Sequence, residues 1–483
     1  MKIQPTLLKD GYKAGHIKQF PEGTQYVYSN LTARTSRIPG IDYVVPFGIQ
    51  AFVKQYLIKE FNEEFFSKSK AEVVAKYKRR MDTYLGPGAV PVAHIEDLHD
   101  LGYLPIKLKS LPEGTKVPIK VPVLTITNTK PEFFWLTNFL ETLLSAVLWH
   151  PMTSATIASK YRSILDGYAS ETSDIPEFVQ WQGHDFSMRG QTSIESACAS
   201  GAGHLLSFTG TDTIPAIDYL EHYYDANSEK ELIGGSVPAT EHAVMCMGSK
   251  ETELQTYDRL ITQVYPSGIV SIVSDTWDYW KVLTSIIPTL KTQILKRDGK
   301  VVIRPDSGDP VKILCGDPEA PVDSVQYKGT VEHLWDVFGG TVNSKGFKQL
   351  DSHIGVIYGD SITLDRCEAI LSQLKAKGFA STIPVFGIGS YTYQFVTRDT
   401  FGFAMKATHG VINCVSVDIF KDPVTDNGVK KSAKGLLRVN EDLTLSEQVS
   451  VEDEATGLLT TVFLDGKLMN ITTLQEMRER VSK

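Results

Sequence analysis

From about residue 267 the chain repeats one pattern: a short aliphatic run, a polar tip, then a stretch with helical spacing. The runs are SIVSD (271–275), VVIRPD (301–306), GVIYGD (355–360) and IPVFGIG (383–389). Apolar runs of this kind are covered on both faces, and alternation with helices joins them in parallel. Helical segments follow at least the first, third and fourth runs, SITLDRCEAILSQLKAKG (361–378) among them. With further strand candidates near 180–190 and 204–212, the pattern predicts an α/β fold built on an irregular (β/α) TIM-like barrel. In such barrels the loops beyond the carboxyl ends of the strands make the active site. Asp275, Arg304, Asp306, Asp360 and Gly389 all fall on those tips. One Asp or Gly there is more simply a cap or turn residue. Several polar tips converging on one face argue for a site.

The rest of the chain is mixed. Residues 47–61 and 69–86 read as helices, and 104–129 as short strands punctuated by Pro and Gly. A long apolar helix is expected over 131–150, capped by Asn128 or Thr129, with Pro131 in its first turn. The expected division is 1–150 as the first part of an α+β domain, 151–400 as the barrel, and 401–483 completing the α+β domain. No internal repeat or low-complexity segment interrupts it.

Composition narrows the partners. The 483 residues are 42% hydrophobic and 22% charged, the balance of a globular protein with its own core. A net charge of −8 argues against a general nucleic-acid surface, which needs a basic face. It leaves room for a small anion in a local basic pocket. Five scattered cysteines with no CxxC pair read as reduced, mostly buried thiols. There is no signal-peptide core at the start and no apolar run of membrane length, so a cytoplasmic protein without a membrane partner is expected.

The tips carry both charge signs. Arg304 offers a planar fork for a phosphate or carbonyl oxygen. Asp275, Asp306 and Asp360 suit sugar hydroxyls or, through water, magnesium, which takes few carboxylates alongside substrate phosphates. GIGS (387–390) follows a strand and opens a helix, presenting free N–H groups to a phosphate; it lacks the third glycine of a dinucleotide fingerprint. Upstream lie HDFSMRG (184–190), FTGTDT (208–213) and SVPATEHAVMC (236–246), with His242 in what reads as the first turn of a helix. Alone, His242 is more often structural and Phe186 more often core. No zinc spacing, Walker loop or nucleophile elbow is present.

Taken in order, DGYKAGHIKQFP (10–21), FWLTNFLET (134–142), HDFSMRG, GTDT (210–213), SVPATEH, VSDTWD (273–278), RPDSG (304–308) and FKDPVTD (420–426) resemble the nicotinamide phosphoribosyltransferases, a type II phosphoribosyltransferase family. The likeness runs from about residue 8 to the carboxyl terminus. It implies a head-to-tail homodimer with two shared active sites, joining nicotinamide to phosphoribosyl pyrophosphate. By motif, Phe186 and Tyr12 of the partner subunit would sandwich the pyridine ring. Asp212 would accept the amide N–H, and Arg304 with Ser271 would hold the amide oxygen. Asp306, Gly359 and Asp360 would contact the ribose, and Gly389, Ser390 and Arg398 the 5′-phosphate. Arg189, with Arg34, Lys406 and Lys421 of the partner subunit, would bind pyrophosphate. His242 resembles a histidine phosphorylated by ATP, making ATP an activating co-substrate beside Mg2+. His242, Asp306, Asp275 and Arg304 are the expected catalytic group. The chain departs from the family pattern at Gly11, in FSMRG, in the less glycine-rich FGIGSYTYQ and at Ala404.

Displacing pyrophosphate at an anomeric carbon passes through a cationic state and calls for Arg, Lys and Asp rather than a Ser or Cys nucleophile. Competing readings are a nicotinate phosphoribosyltransferase, a non-catalytic relative that binds NAD precursors, and a generic sugar-processing barrel. Asp212 decides against nicotinate, because a carboxylate facing a carboxylate in a dry pocket costs several kcal/mol.

Overall fold

The computed structural model describes residues 2–421 and 432–483. These form two compact units. One comprises Met1–Thr156, Tyr219–Ala226 and Val396–Lys483; the other comprises Ile157–Asp218 and Asn227–Phe395. The short stretch Tyr219–Ala226, read from sequence as part of the barrel segment, packs with the first unit. Tyr224 explains why: its hydroxyl donates to the buried Glu113 carboxylate at 2.8 Å, which also accepts the N–H groups of Gly48 and Gln50 at 2.7 Å each.

The second unit holds a six-stranded parallel sheet in the spatial order Gly210–Thr211, Gly183–Asp185, Pro384–Ile388, Ile354–Tyr358, Val301–Arg304, Val270–Val273. All four runs of the repeated pattern are among them. Val270–Val273 and Ile354–Tyr358 are buried throughout, as strands covered on both faces must be. Helices between strands start on strong caps: Thr363 for Leu364–Ala376, and Asp309 with Pro310 for Pro310–Cys315. Leu364–Ala376 turns Cys367, Ile370, Leu371 and Leu374 inward.

Six strands do not make the regular closed ring of a TIM barrel. The two outer strands are instead bridged by one extended segment. Gly210 pairs with Gly235 and Ala239 with Ser271, both in parallel sense. Thr211 N–H donates to Gly235 O at 3.0 Å, and Ser271 N–H donates to Pro238 O at 2.9 Å. A sheet whose opposite edges touch one short segment must be strongly curled.

The first unit is built on a seven-stranded sheet ordered Val415–Asp418, Phe403–Ile412, Thr24–Ala33, Pro122–Asn128, Ile106–Ser110, Thr460–Leu464, Lys467–Leu468. Thr24–Ala33 pairs antiparallel with Phe403–Ile412, Asn30 opposite Lys406. The expected helix over 69–86 forms as Lys70–Leu85, capped by Ser69. Residues 47–61 are helical but uneven, with Ile49–Phe52 followed by π-helical turns over Val53–Glu60 and Asn62–Phe66.

The apolar helix expected over 131–150 needs correction. Pro131–Phe133 is a 3-10 turn, Leu136–Phe139 a short helix, and the long helix runs Glu141–Thr172 through Pro151. Proline normally breaks a helix. Here the buried stripe Leu144, Leu148, Met152, Ala155 continues past it, so packing outweighs the lost hydrogen bond. All five cysteines are free, but only Cys315 and Cys367 are buried, while Cys246 and Cys414 are exposed. Among the described residues no helix is long and apolar enough to cross a membrane.

Candidate active site

Parallel strands place their carboxyl ends along one edge, and the polar tips meet there as the repeated pattern predicts. Asp275 lies two residues beyond Val273 and is the hub of a first cluster. One carboxylate oxygen, Oδ2, accepts Asp306 N–H at 3.1 Å; the other, Oδ1, lies 3.2 Å from His242 Nε2. The Asp275 side chain is 5% exposed and that of His242 50%, so a buried carboxylate orients an accessible imidazole. His242 is the first residue of the helix His242–Met247, as read from sequence.

Arg304 joins the same cluster. Its Nη2 donates to Thr240 O at 2.8 Å, and its Nε stands 3.4 Å from Asp306 Oδ1, an ion pair without hydrogen-bond geometry. Burial raises the Asp306 pKa; Arg304 and His242 oppose the rise, and Asp275 and Asp360 add to it. Gly359 lets this carboxylate keep its place: a Cβ there would come within 2.2 Å of Asp306 Oδ1. Asp360, one residue on, is exposed.

A second cluster sits at the other end of the strand order, on Gly183–Asp185 and Gly210–Thr211. His184 Nε2 and Ser236 Oγ both reach Asp212 Oδ1, at 2.8 and 2.7 Å. Burial pushes the Asp212 carboxyl up, but His184, Ser236 and the charge of Arg304 together hold it below its ordinary value. Asp212 therefore stands as a carboxylate at neutral pH. The Phe186 ring lies 4.7 Å from that of His184, and a Cβ at Gly387 would strike it at 2.6 Å. Ser271 is buried on Val270–Val273, with its hydroxyl unpartnered among the described residues.

The turn at 389–390 forms a third part. Gly389 leads into the short helix Ser390–Tyr393 and faces open space, where a Cβ would meet nothing within 4 Å. Gly190 packs so closely on Ser390 that a Cβ would fall 2.1 Å from its hydroxyl. That contact brings the exposed Arg189 beside the turn.

Tyr12, Arg34, Arg398, Lys406 and Lys421 belong to the first unit. Burial depresses Lys406; Glu141 opposes this, while the charges of Arg34, Lys421 and Lys13 depress it further. Arg34, Lys406 and Lys421 thus form a basic group around the Thr24–Ala33/Phe403–Ile412 strand pair and the end of Val415–Asp418, steadied by Arg34 Nε donating to Gly402 O at 3.1 Å. Tyr12 is 62% exposed beside Lys13 and His16. Arg398 is exposed and pairs with Asp399 at 3.2 Å. Residues 422–426 of the FKDPVTD motif lie outside the described residues.

Sequence reasoning passed over His184, Ser236 and Thr240. The signal for His184 was available: two residues before Phe186 on a strand, it shares that ring's face. Ser236 and Thr240 lie in GGSVPAT, which has no strand pattern, and only the three-dimensional pairing reveals them.

A family model described as the nicotinate phosphoribosyltransferase (NAPRTase) family matches residues 181–467. A second, described as the N-terminal domain of nicotinamide phosphoribosyltransferase, matches 5–108. The nicotinamide phosphoribosyltransferase of Acinetobacter baylyi is 56% identical over 496 residues, covering 100% of this chain and 98% of its own. That of Mycoplasma pneumoniae is 36% identical, over 88% of this chain and 93% of its own; that of Xanthomonas campestris pv. campestris is 32% identical, over 97% and 96%. Two solved structures share the fold. Nicotinate-nucleotide pyrophosphorylase from Pyrococcus furiosus has a TM-score of 0.55 at 12% identity, over 99% of this chain and 95% of that one. Human nicotinic acid phosphoribosyltransferase has a TM-score of 0.53 at 15% identity, over 99% and 93%. With a family model spanning more than half of it and relatives alike over nearly their whole lengths, the chain is a phosphoribosyltransferase and belongs to the nicotinate phosphoribosyltransferase (NAPRTase) family.

Proposed function

We propose that this chain makes nicotinamide mononucleotide and pyrophosphate from nicotinamide and phosphoribosyl pyrophosphate, a step of NAD salvage, in the cytoplasm. The observation that carries the choice of substrate is Asp212, a carboxylate kept ionised at a strand tip beside Phe186. An ionised carboxylate accepts an amide N–H and repels a carboxylate. Phe186 offers a flat face to an electron-poor ring, and Arg304 with the unpartnered Ser271 hydroxyl supplies donors for the amide oxygen.

In the reaction the pyridine nitrogen forms a bond to the anomeric carbon as the carbon–oxygen bond to pyrophosphate breaks. The nitrogen lone pair needs alignment, not a base, which suits a site whose work is positioning. Asp306 and Asp360, with the Gly359 backbone, hold ribose hydroxyls, and Asp275 fixes the Asp306 backbone. Gly389, Ser390 and Arg398 take the 5′-phosphate. Arg189 meets the departing pyrophosphate, with Arg34, Lys406 and Lys421 of the partner subunit; Tyr12 of the partner subunit closes the pyridine face. On this reading the enzyme is a homodimer. The curled sheet with its bridging segment 235–240 acts as an irregular barrel, completed by an α+β domain from both chain ends.

The donors fit magnesium held mainly by substrate phosphates and water: Asp275, Asp306 and Asp360 share one edge and offer it few carboxylate oxygens. When bound, the ion neutralises charge on the leaving pyrophosphate. ATP serves as a co-substrate through His242. Asp275 holds Nε2 in its protonated form, leaving the Nδ1 lone pair to take the γ-phosphoryl group and release ADP. Product analysis with phosphoribosyl pyrophosphate and Mg2+, comparing nicotinamide with nicotinic acid and with or without ATP, is the test. Nicotinamide mononucleotide as the main product is expected; nicotinic acid mononucleotide in its place would overturn the reading.

A further inference from the structure

We propose that His184 is a positioning residue that sets substrate choice by clamping Asp212. The inference rests on the reading of Asp212 given above. An aspartate just beyond a two-residue strand has little to fix its side chain. Here two donors, themselves 3.4 Å apart, converge on one oxygen: His184 from Gly183–Asp185, and Ser236 from the segment bridged to Gly210. Both bonds fall on Oδ1, and among the described residues Oδ2 takes none. The carboxylate is therefore oriented with one oxygen satisfied and the other left for an incoming N–H.

The clamp is itself held. A Cβ at Gly210 would lie 2.7 Å from His184 Nδ1, so glycine leaves room for the imidazole against the next strand. The ring also meets that of Phe186, tilted at 49° with centroids 4.7 Å apart. One imidazole thus braces both the aromatic face and the amide acceptor. His184 Nε2–H and Ser236 O–H both stabilise the anion, opposing the burial that favours the acid form. Without the stronger donor the carboxylate loses its fixed orientation, and with it the discrimination between an amide N–H and a carboxylate weakens.

The test is steady-state kinetics on the full chain with nicotinamide, nicotinic acid and phosphoribosyl pyrophosphate varied in turn, on wild type, His184→Ala, His184→Gln and Ser236→Ala, each with a thermal melt. Loss of a charge-assisted hydrogen bond predicts a rise in nicotinamide KM of roughly tenfold or more for His184→Ala. The fall in kcat should be smaller and the phosphoribosyl pyrophosphate KM unmoved. The preference for nicotinamide over nicotinic acid should fall by a similar factor. His184→Gln, whose amide N–H reaches the same oxygen, should recover most of the loss. Ser236→Ala should shift the preference the same way but less. An unchanged preference in His184→Ala overturns the proposal, as does a failure of His184→Gln to recover in a variant that melts like wild type. Should His184→Ala not fold, an unchanged preference in Ser236→Ala overturns it instead. A wild type that makes no product from nicotinamide removes the proposed function and this inference together. A wild type that does, with a silent His184, removes only the inference.

Discussion

Asp275 shows how little is spared at the tips: one oxygen holds the Asp306 backbone and the other the His242 ring, so neither residue is independent of it. His242 is half exposed and meets Asp275 through Oδ1, while the Asp306 backbone uses Oδ2, so removing the imidazole leaves the bond to Asp306 in place. Replacing His242 with Ala should therefore abolish stimulation by ATP while synthesis without ATP persists at a reduced rate, measured as product formed with and without the nucleotide. Equal stimulation in wild type and variant would remove its role as phosphate acceptor. Gly359 makes the complementary case. A methyl group there meets the mobile end of Asp306 at 2.2 Å, and its other neighbours lie at 3.2 Å or beyond. The side chain can swing away at small cost in stability, but the carboxylate then leaves the ribose. Gly359→Ala should lower kcat/KM for phosphoribosyl pyrophosphate by about tenfold to a hundredfold, as expected for a lost hydrogen bond to a charged group, and shift Tm by only a few degrees. A variant that melts early yet retains kcat/KM would reverse that assignment.

Elements whose identity rests on local pattern were readable from the chain alone. The four aliphatic runs became parallel strands because burial on both faces leaves a continuous apolar signature. Elements decided by packing were not readable. Glu141–Thr172 passes Pro151 because its apolar stripe has a partner surface, and the segment 235–240 behaves as a strand only because two edges await it. The amino-terminal stretch carries another feature that only packing reveals. Lys9 lies over the rings of Phe139 and Tyr77, at 3.8 and 4.7 Å, and donates to the Tyr77 hydroxyl at 2.8 Å. Burial pushes its ammonium down to about 7, and His94 nearby is pushed to about 3 by burial first and the Lys9 charge second. An unfolded lysine titrates near 10.4, so between about pH 7 and 10 the unfolded chain binds a proton that the folded chain has released. Stability from this group accordingly rises with pH through that window, and the cost of burying the charge is greatest below it. Denaturant unfolding of Lys9→Met should show the variant gaining most on wild type at pH 6 and the difference closing by pH 10. Parallel pH profiles would show that Lys9 is not buried as a neutral amine.

At the scale of the whole molecule, the proposed ligand contacts divide between the two units. Phe186, Arg189, Asp212, Arg304, Asp306 and Ser390 lie on one, and Tyr12, Arg34, Arg398, Lys406 and Lys421 on the other. The basic group on the first unit was legible only as a set of family positions. Its assembly depends on Thr24–Ala33 pairing with Phe403–Ile412, nearly four hundred residues away in the chain, and no local periodicity encodes a contact of that span. If each site takes Phe186 and Arg304 from one protomer and Lys406 from its partner, damage to the two halves can be separated. Arg304→Ala and Lys406→Ala chains should each be nearly inactive as homodimers. In a mixed dimer one site carries both lesions and the other carries neither. Random mixing makes about half of the dimers mixed, each with one intact site of two, so co-expressed chains should recover about a quarter of wild-type activity. A site completed within one chain gives no recovery at any ratio, because every site then keeps one lesion. The fraction recovered, measured after refolding the two variants together and again after mixing them as folded proteins, therefore reads out directly whether the protein works as a shared-site pair.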